Sequence, residues 1–195
     1  MEVKKPLHVV IPILLVSCLH LPAGAQTLLD LGGFSGASFG GMAGLHHYVQ
    51  ERLAVGVESQ YGINTDSNFS YNVGTWSVLA GLRYHATARL TSPYFFLMGG
   101  VNHNTAGGDL PCPYGTACKA KPSNSLGYKV GLGLPGCSEN RRAFLCYASF
   151  ELGYMYNVAK FDLQHSGTGA KIGEEWRGLS TPFFGLRFNI PFGND

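Results

Sequence analysis

The feature that most constrains this chain is a period-two alternation that recurs along most of its length, with charge held to one parity. In "SLGYKVGLGL", Leu126, Tyr128, Val130, Leu132 and Leu134 oppose Ser125, Gly127, Lys129, Gly131 and Gly133. In "LAVGVESQYGI", Leu53, Val55, Val57, Tyr61 and Ile63 oppose Ala54, Gly56, Glu58, Gln60 and Gly62. "GTWSVLAGLRYH", "ASFELGYMY" and the terminal "FFGLRFNIPF" repeat the pattern around Arg83, Glu151 and Arg187. Side chains that alternate with period two belong to strands with two unlike faces. No helical period of useful length appears, so the chain reads as all-β.

The identity of the wet face decides the class. A soluble barrel of the lipocalin or avidin kind would turn its apolar parity inward, and a membrane barrel inverts this arrangement. Here the polar parity is a poor water-facing surface, because it is mostly glycine and serine with at most one charge per strand. Asp, Glu, Lys and Arg make up 13% of the chain, against about 25% in typical soluble proteins. The six charges in strand segments are Asp30, Glu58, Arg83, Lys129, Glu151 and Arg187, and all six take the glycine-rich parity. An Arg or Lys on a lipid-facing strand position costs about 2–4 kcal/mol at the midplane. The apolar parity is therefore expected to face lipid and the glycine-rich parity a lumen. Three acids and three bases can pair there, which offsets the cost of burying each alone. A plugged interior is expected, with a wetter lumen as the alternative.

Eight strands are expected, at 27–34, 38–49, 53–63, 73–86, 92–104, 125–134, 144–157 and 180–192. The first is the weakest signal, and the nearly all-apolar "PYFFLMGGVN" leaves its facing open. Short and long connections alternate along the chain, as in an up-and-down barrel with tight turns at one end and loops at the other. The chain therefore predicts an eight-stranded antiparallel up-and-down transmembrane β-barrel. Segments 105–124 and 158–178 read as its long loops, and loops on rigid scaffolds commonly carry contacts. Tyr48, Tyr61, Tyr84, Tyr94, Tyr154, Tyr156 and Phe192 fall near strand ends, the place of interfacial aromatic girdles.

The N-terminus has the three-part layout of a secretory signal peptide: "MEVKK", the apolar "VVIPILLVSCLHL", then "PAGAQ". Cleavage after Ala25 is expected, leaving 26–195 as one domain. A lipoprotein-type cut that lipidates Cys18 is the rival. Cys112, Cys118, Cys137 and Cys146 remain, an even number in an exported chain, which points to two disulfides. Close spacing favours Cys112 with Cys118 and Cys137 with Cys146, and the other pairings stay open. A net charge of +2 gives no basic footprint for nucleic acid. No nucleotide loop or metal-ligand spacing appears, and no cofactor is expected.

Together, the signal peptide, "LAVGVESQYG", "GLRYH", "PYFFLMGGVN" and "SLGYKVGLGL" resemble the small OmpA/OmpX-like outer-membrane β-barrel domains of Gram-negative bacteria. "GLRFNI" is similar to the C-terminal signal read by the outer-membrane assembly machinery, with Gly185, Phe188, Ile190 and Phe192 at its positions, although "GND" follows. The resemblance implies a bacterial outer-membrane location and partners limited to lipid, the assembly machinery and an unspecified extracellular ligand. It implies a structural or surface-interaction role, with a narrow channel for small or hydrophobic solutes as the alternative. A lipid-modifying hydrolase is the remaining option. His165, Ser166, Glu174, Glu175 and His103 are its candidates, but the His-x-Ser-Asn motif of such enzymes is absent. His46 and His47 read as turn-proximal side chains.

Overall fold

A computed structural model describes residues 26–36, 38–64, 72–89, 91–107, 110–111, 117–136 and 147–192. The segment expected to be a signal peptide, Cys18 included, and Cys112, Cys137 and Cys146 lie outside them. Every described element of regular structure is a strand: β1 (Thr27–Ser35), β2 (Ser38–Gln50), β3 (Leu53–Asn64), β4 (Asn72–His85), β5 (Tyr94–Gly107), β6 (Leu110–Pro111), β7 (Ala117–Lys121), β8 (Ser123–Pro135), β9 (Ala148–His165), β10 (Lys171–Gly178) and β11 (Thr181–Phe192).

Eight of these form a closed antiparallel ring, in the order β11–β1–β2–β3–β4–β5–β8–β9, with β9 returning to β11. Closure runs from Thr27 opposite Phe192 to Ser35 opposite Phe184. A closed ring pairs every backbone donor and acceptor between strands, which open sheets cannot do in hydrocarbon. The weak first segment is a full member of the ring, because its inner and outer residues match the pleat of both neighbours.

The outer face is apolar and uncovered. Leu126 is 78% exposed, Leu132 58% and Phe184 49%. The inner face holds the six strand charges, none more than 1% exposed. This polarity is inverted relative to a soluble barrel. About 9–11 tilted residues suffice to cross a bilayer, and the ring strands are each at least 9 residues long, with apolar side chains at alternate, outward positions.

Two glycines show how a narrow ring admits bulky inner side chains. A Cβ on Gly133 would lie 2.1 Å from the ring of Tyr94, its register partner, and one on Gly131 would lie 2.6 Å from Phe96. Real Cβ atoms do not approach so closely, so each glycine makes the space its neighbour fills.

The two segments expected to be long loops are largely strand. β9 continues past the ring as residues 158–165 and pairs there with β10 on one side and β7 on the other, with β6 beyond β7. Lys119, Lys121, Lys160, Asp162, Lys171, Glu174, Glu175 and Arg177 thus lie in strands. Their alternation resembles that of a water-exposed sheet: Ala159, Phe161 and Leu163 turn inward and are buried, while Lys160, Asp162 and Gln164 turn outward. The tight β9–β10 turn uses Gly169 at φ 69°, a left-handed conformation open to glycine without strain.

Candidate functional site: the barrel interior

The interior is stacked in layers, beginning near the short-turn end with an ionic layer. β11 delivers Arg187, whose Nε donates to Glu151 Oε1 at 2.8 Å and whose Nη2 donates to Glu151 Oε2 at 3.0 Å. The same guanidinium reaches Asp30 Oδ2 at 3.2 Å and Glu58. Lys129, from β8, donates to Glu58 Oε1 at 3.0 Å and Glu151 Oε2 at 3.3 Å. Arg83, from β4, donates to Asp30 Oδ2 at 2.6 Å and Asn189 Oδ1 at 3.1 Å. The structure thus brings all six strand charges into one network, and each carboxylate meets at least two cations. A planar guanidinium suits this position because its five donors can serve three carboxylates at once. An isolated buried ion costs several kcal/mol, which only such dense pairing offsets.

Three further residues join this layer. His46 closes on Asp30. Gln60 Nε2 donates to Glu58. Tyr94 donates its hydroxyl to Glu151 Oε1 at 3.0 Å. His46 is therefore a buried interior residue rather than a turn-proximal one, while His47, on the other parity, meets Thr27 Oγ1 at 3.0 Å. Tyr94 and Tyr48 likewise leave the expected girdle: Tyr94 is buried, and Tyr48 meets His85 Nε2 at 2.7 Å. The signal for Tyr94 was its parity, shared with Phe96 and Met98 and set opposite Gly133. Tyr61, Tyr84, Tyr154 and Tyr156 are exposed on the outer face. The Phe192 side chain lies outside the described residues.

Against the ions packs an aromatic cluster of Phe34, Tyr94, Phe96 and Phe183, with Met155 beside it. Lys129 Nζ sits 4.8 Å from the Phe183 ring centroid and 5.3 Å from that of Phe96, so the aromatic faces extend the cation's partners. A polar layer follows. Asn104 donates to Ser125 Oγ at 2.9 Å, Ser125 to Asn157 Oδ1 at 2.8 Å, and Asn157 back to Asn104 Oδ1 at 3.0 Å. Beside this closed circuit is a cavity of about 30 Å³ touched by Gln60, Asn64, Ser77 and Asn102. At 10–15 Å³ each, that is room for roughly two waters. The last layer is apolar: Val73, Cys118, Ala159, Phe161, Leu163 and Leu179, with Ala106 and Ala120 packed on it. Cys118 is fully buried there.

Of the hydrolase candidates, Ser166 is exposed in the β9–β10 turn and the other four have the following contacts. His165 Nδ1 accepts from the turn amides of Gly167 at 3.1 Å and Thr168 at 3.3 Å. His103 sits on the outer face against Asn124 Oδ1, 2.8 Å away. Glu174 binds Lys160 at 2.7 Å and Lys171 at 2.6 Å, and Glu175 pairs with Arg177. The hydrogen bonds from Lys160 and Lys171 hold the Glu174 carboxyl down at about 2. Among the described residues no cluster of His, Cys, Asp and Glu could hold a metal ion. At the C-terminus, Gly185 faces inward beside Glu151 and Met42, while Ile190 points outward.

No family model matches the chain, and no curated protein matches it in sequence. In fold it is similar to the outer membrane protein OprG from Pseudomonas aeruginosa, with a TM-score of 0.52 at 13% identity over 88% of this chain and 97% of that one. It is likewise similar to a major outer membrane protein from Thermus thermophilus, with a TM-score of 0.50 at 13% identity over 86% of this chain and all of that one. The fold is that of an outer-membrane β-barrel: eight antiparallel strands, apolar outside and ionic inside.

Proposed function

We propose that the chain is an integral β-barrel of the bacterial outer membrane, of the small OmpA/OmpX-like kind, with a structural or surface-interaction role and no catalytic one. The observation that carries this reading is the filled interior. Ionic, aromatic, polar and apolar clusters fill it among the described residues, and the cavity beside the polar circuit measures about 30 Å³. In this reading the short turns face the periplasm and the β7–β9–β10 sheet faces outward as the contact region. Residues 1–25 direct export, and Gly185, Phe188, Ile190 and Phe192 present the assembly signal. An extracellular ligand would meet that contact region, and no cofactor takes part in this reading.

The test is conductance. Refolded protein in planar bilayers is expected to insert and give no sustained open current. A steady ohmic conductance in every inserted molecule would overturn the sealed interior and favour the narrow channel.

A further inference from the structure

Among the described residues, the outward charges beyond the apolar band occupy one side of the barrel. Among the described residues on that end, they are Lys119 and Lys121 of β7, Lys160 and Asp162 of β9, and Lys171 and Glu174 of β10. Registers set them side by side: Lys121 opposite Asp162, Asp162 opposite Glu174, Lys160 opposite Trp176. Four lysines thus meet two acids. Lys160 and Lys171 consume both carboxylates, with Lys171 reaching Asp162 at 2.8 Å as well as Glu174. Lys119 and Lys121 are exposed, and no described carboxylate lies within bridging distance of either.

The height of this patch is fixed by the residues beneath it. Tyr128 and Tyr156 are stacked on the outer face with centroids 4.9 Å apart. Along β9 the outward residues run Phe150, Leu152, Tyr154, Tyr156, then Val158 and Lys160. The polarity of the strand turns over there, so Tyr156 and Lys160 straddle the edge of the apolar band. Trp176 is 63% exposed beside Lys160, 5.1 Å from the ring centroid to Nζ. An exposed Trp beside basic residues is the composition of an interface with headgroups.

We infer that the outer face of the β7–β9–β10 sheet docks a phosphate-bearing lipid headgroup, with Lys119 and Lys121 supplying the surplus positive charge and Trp176 lying along the acyl boundary. Charge complementarity and continuity with the lipid-facing band both favour a lipid over a soluble anion. The inference rests on the membrane placement proposed above.

The full chain is refolded into phosphatidylcholine bilayers, and the association of spin-labelled phosphatidic acid is compared with that of spin-labelled phosphatidylcholine. The wild-type barrel is expected to select phosphatidic acid, and to lose that preference at high salt. Each lysine near a charged surface contributes about fivefold, so Lys119→Gln with Lys121→Gln should remove most of the selectivity. Arg89→Gln, at the opposite end of the barrel, should leave it intact. Equal selectivity in wild type and double variant overturns the inference, as does displacement of the lipid by equimolar inorganic phosphate. Heat-modifiable migration reports insertion separately. A chain that does not insert overturns the membrane reading along with this one, whereas an inserted chain without selectivity overturns this one alone.

Discussion

At the scale of the residue, Arg187 carries the most consequence. Among the described residues it is the one cation that reaches Asp30, Glu58 and Glu151 together. Arg187→Met keeps much of the volume and removes the charge, leaving three carboxylates with too few partners. Breaking a buried ionic group on one side costs about 3–5 kcal/mol. The variant is expected to lose that much stability in urea unfolding from lipid vesicles. Adding Glu58→Gln and Glu151→Gln should recover part of it, since coupled neighbours do not add independently. The position of Arg187 was legible in the sequence, because its parity is shared with Gly185 and Asn189. Its partners were not, because pairing across a ring depends on register, and residues as distant in sequence as Asp30 and Arg187 meet only after closure. His46 and Tyr94 were missed for the same reason: their roles come from Asp30 and Glu151 on other strands.

At the scale of the element, the upper half of β9 behaves as part of a water-exposed sheet. Phe161 is fully buried among Val73, Ala159 and Cys118. Phe161→Ala removes the largest side chain of that layer, a change that costs about 3–5 kcal/mol in a packed core. The loss should stay local. Limited proteolysis is expected to cut within 158–178 in the variant while the ring below keeps its heat-modifiable migration. The β9–β10 hairpin also has a pH signature. Glu174 is held down by its hydrogen bonds from Lys160 and Lys171. A carboxyl depressed in the folded state contributes stability that is present above its unfolded pKa, and loses it as pH falls toward the folded value. Protection factors of the β10 amides, taken relative to intrinsic exchange, should therefore fall between about pH 4.5 and 2, and Glu174→Gln should flatten that dependence. The strand itself could have been read from Ala159, Phe161 and Leu163. What obscured it is that apolar residues shift parity at Asn157, where the outside medium changes from lipid to water, so a single-parity reading stops there.

At the scale of the whole molecule, the apolar exterior determines what solvent the protein needs. Leu132 is 58% exposed on β8. On a water-facing surface Leu132→Arg would be close to neutral. Facing hydrocarbon, it should weaken equilibrium folding into vesicles by about 2–4 kcal/mol. An unchanged folding free energy would place that face in water and remove the ground for the membrane assignment. The same exterior explains why charge is so scarce outside the upper sheet, where the surplus lysines gather.

The sequence by itself determined the all-β class, the count of eight ring strands and the side of each strand on which charge lies. These follow from period-two patterning and the cost of ions in hydrocarbon, both of which act residue by residue along one strand. Only the tertiary structure decided which charges pair, that Tyr94 and His46 complete the network, and that two expected loops fold into a sheet over the mouth. Those outcomes depend on ring closure and register, which set distances between strands that no single stretch of sequence contains.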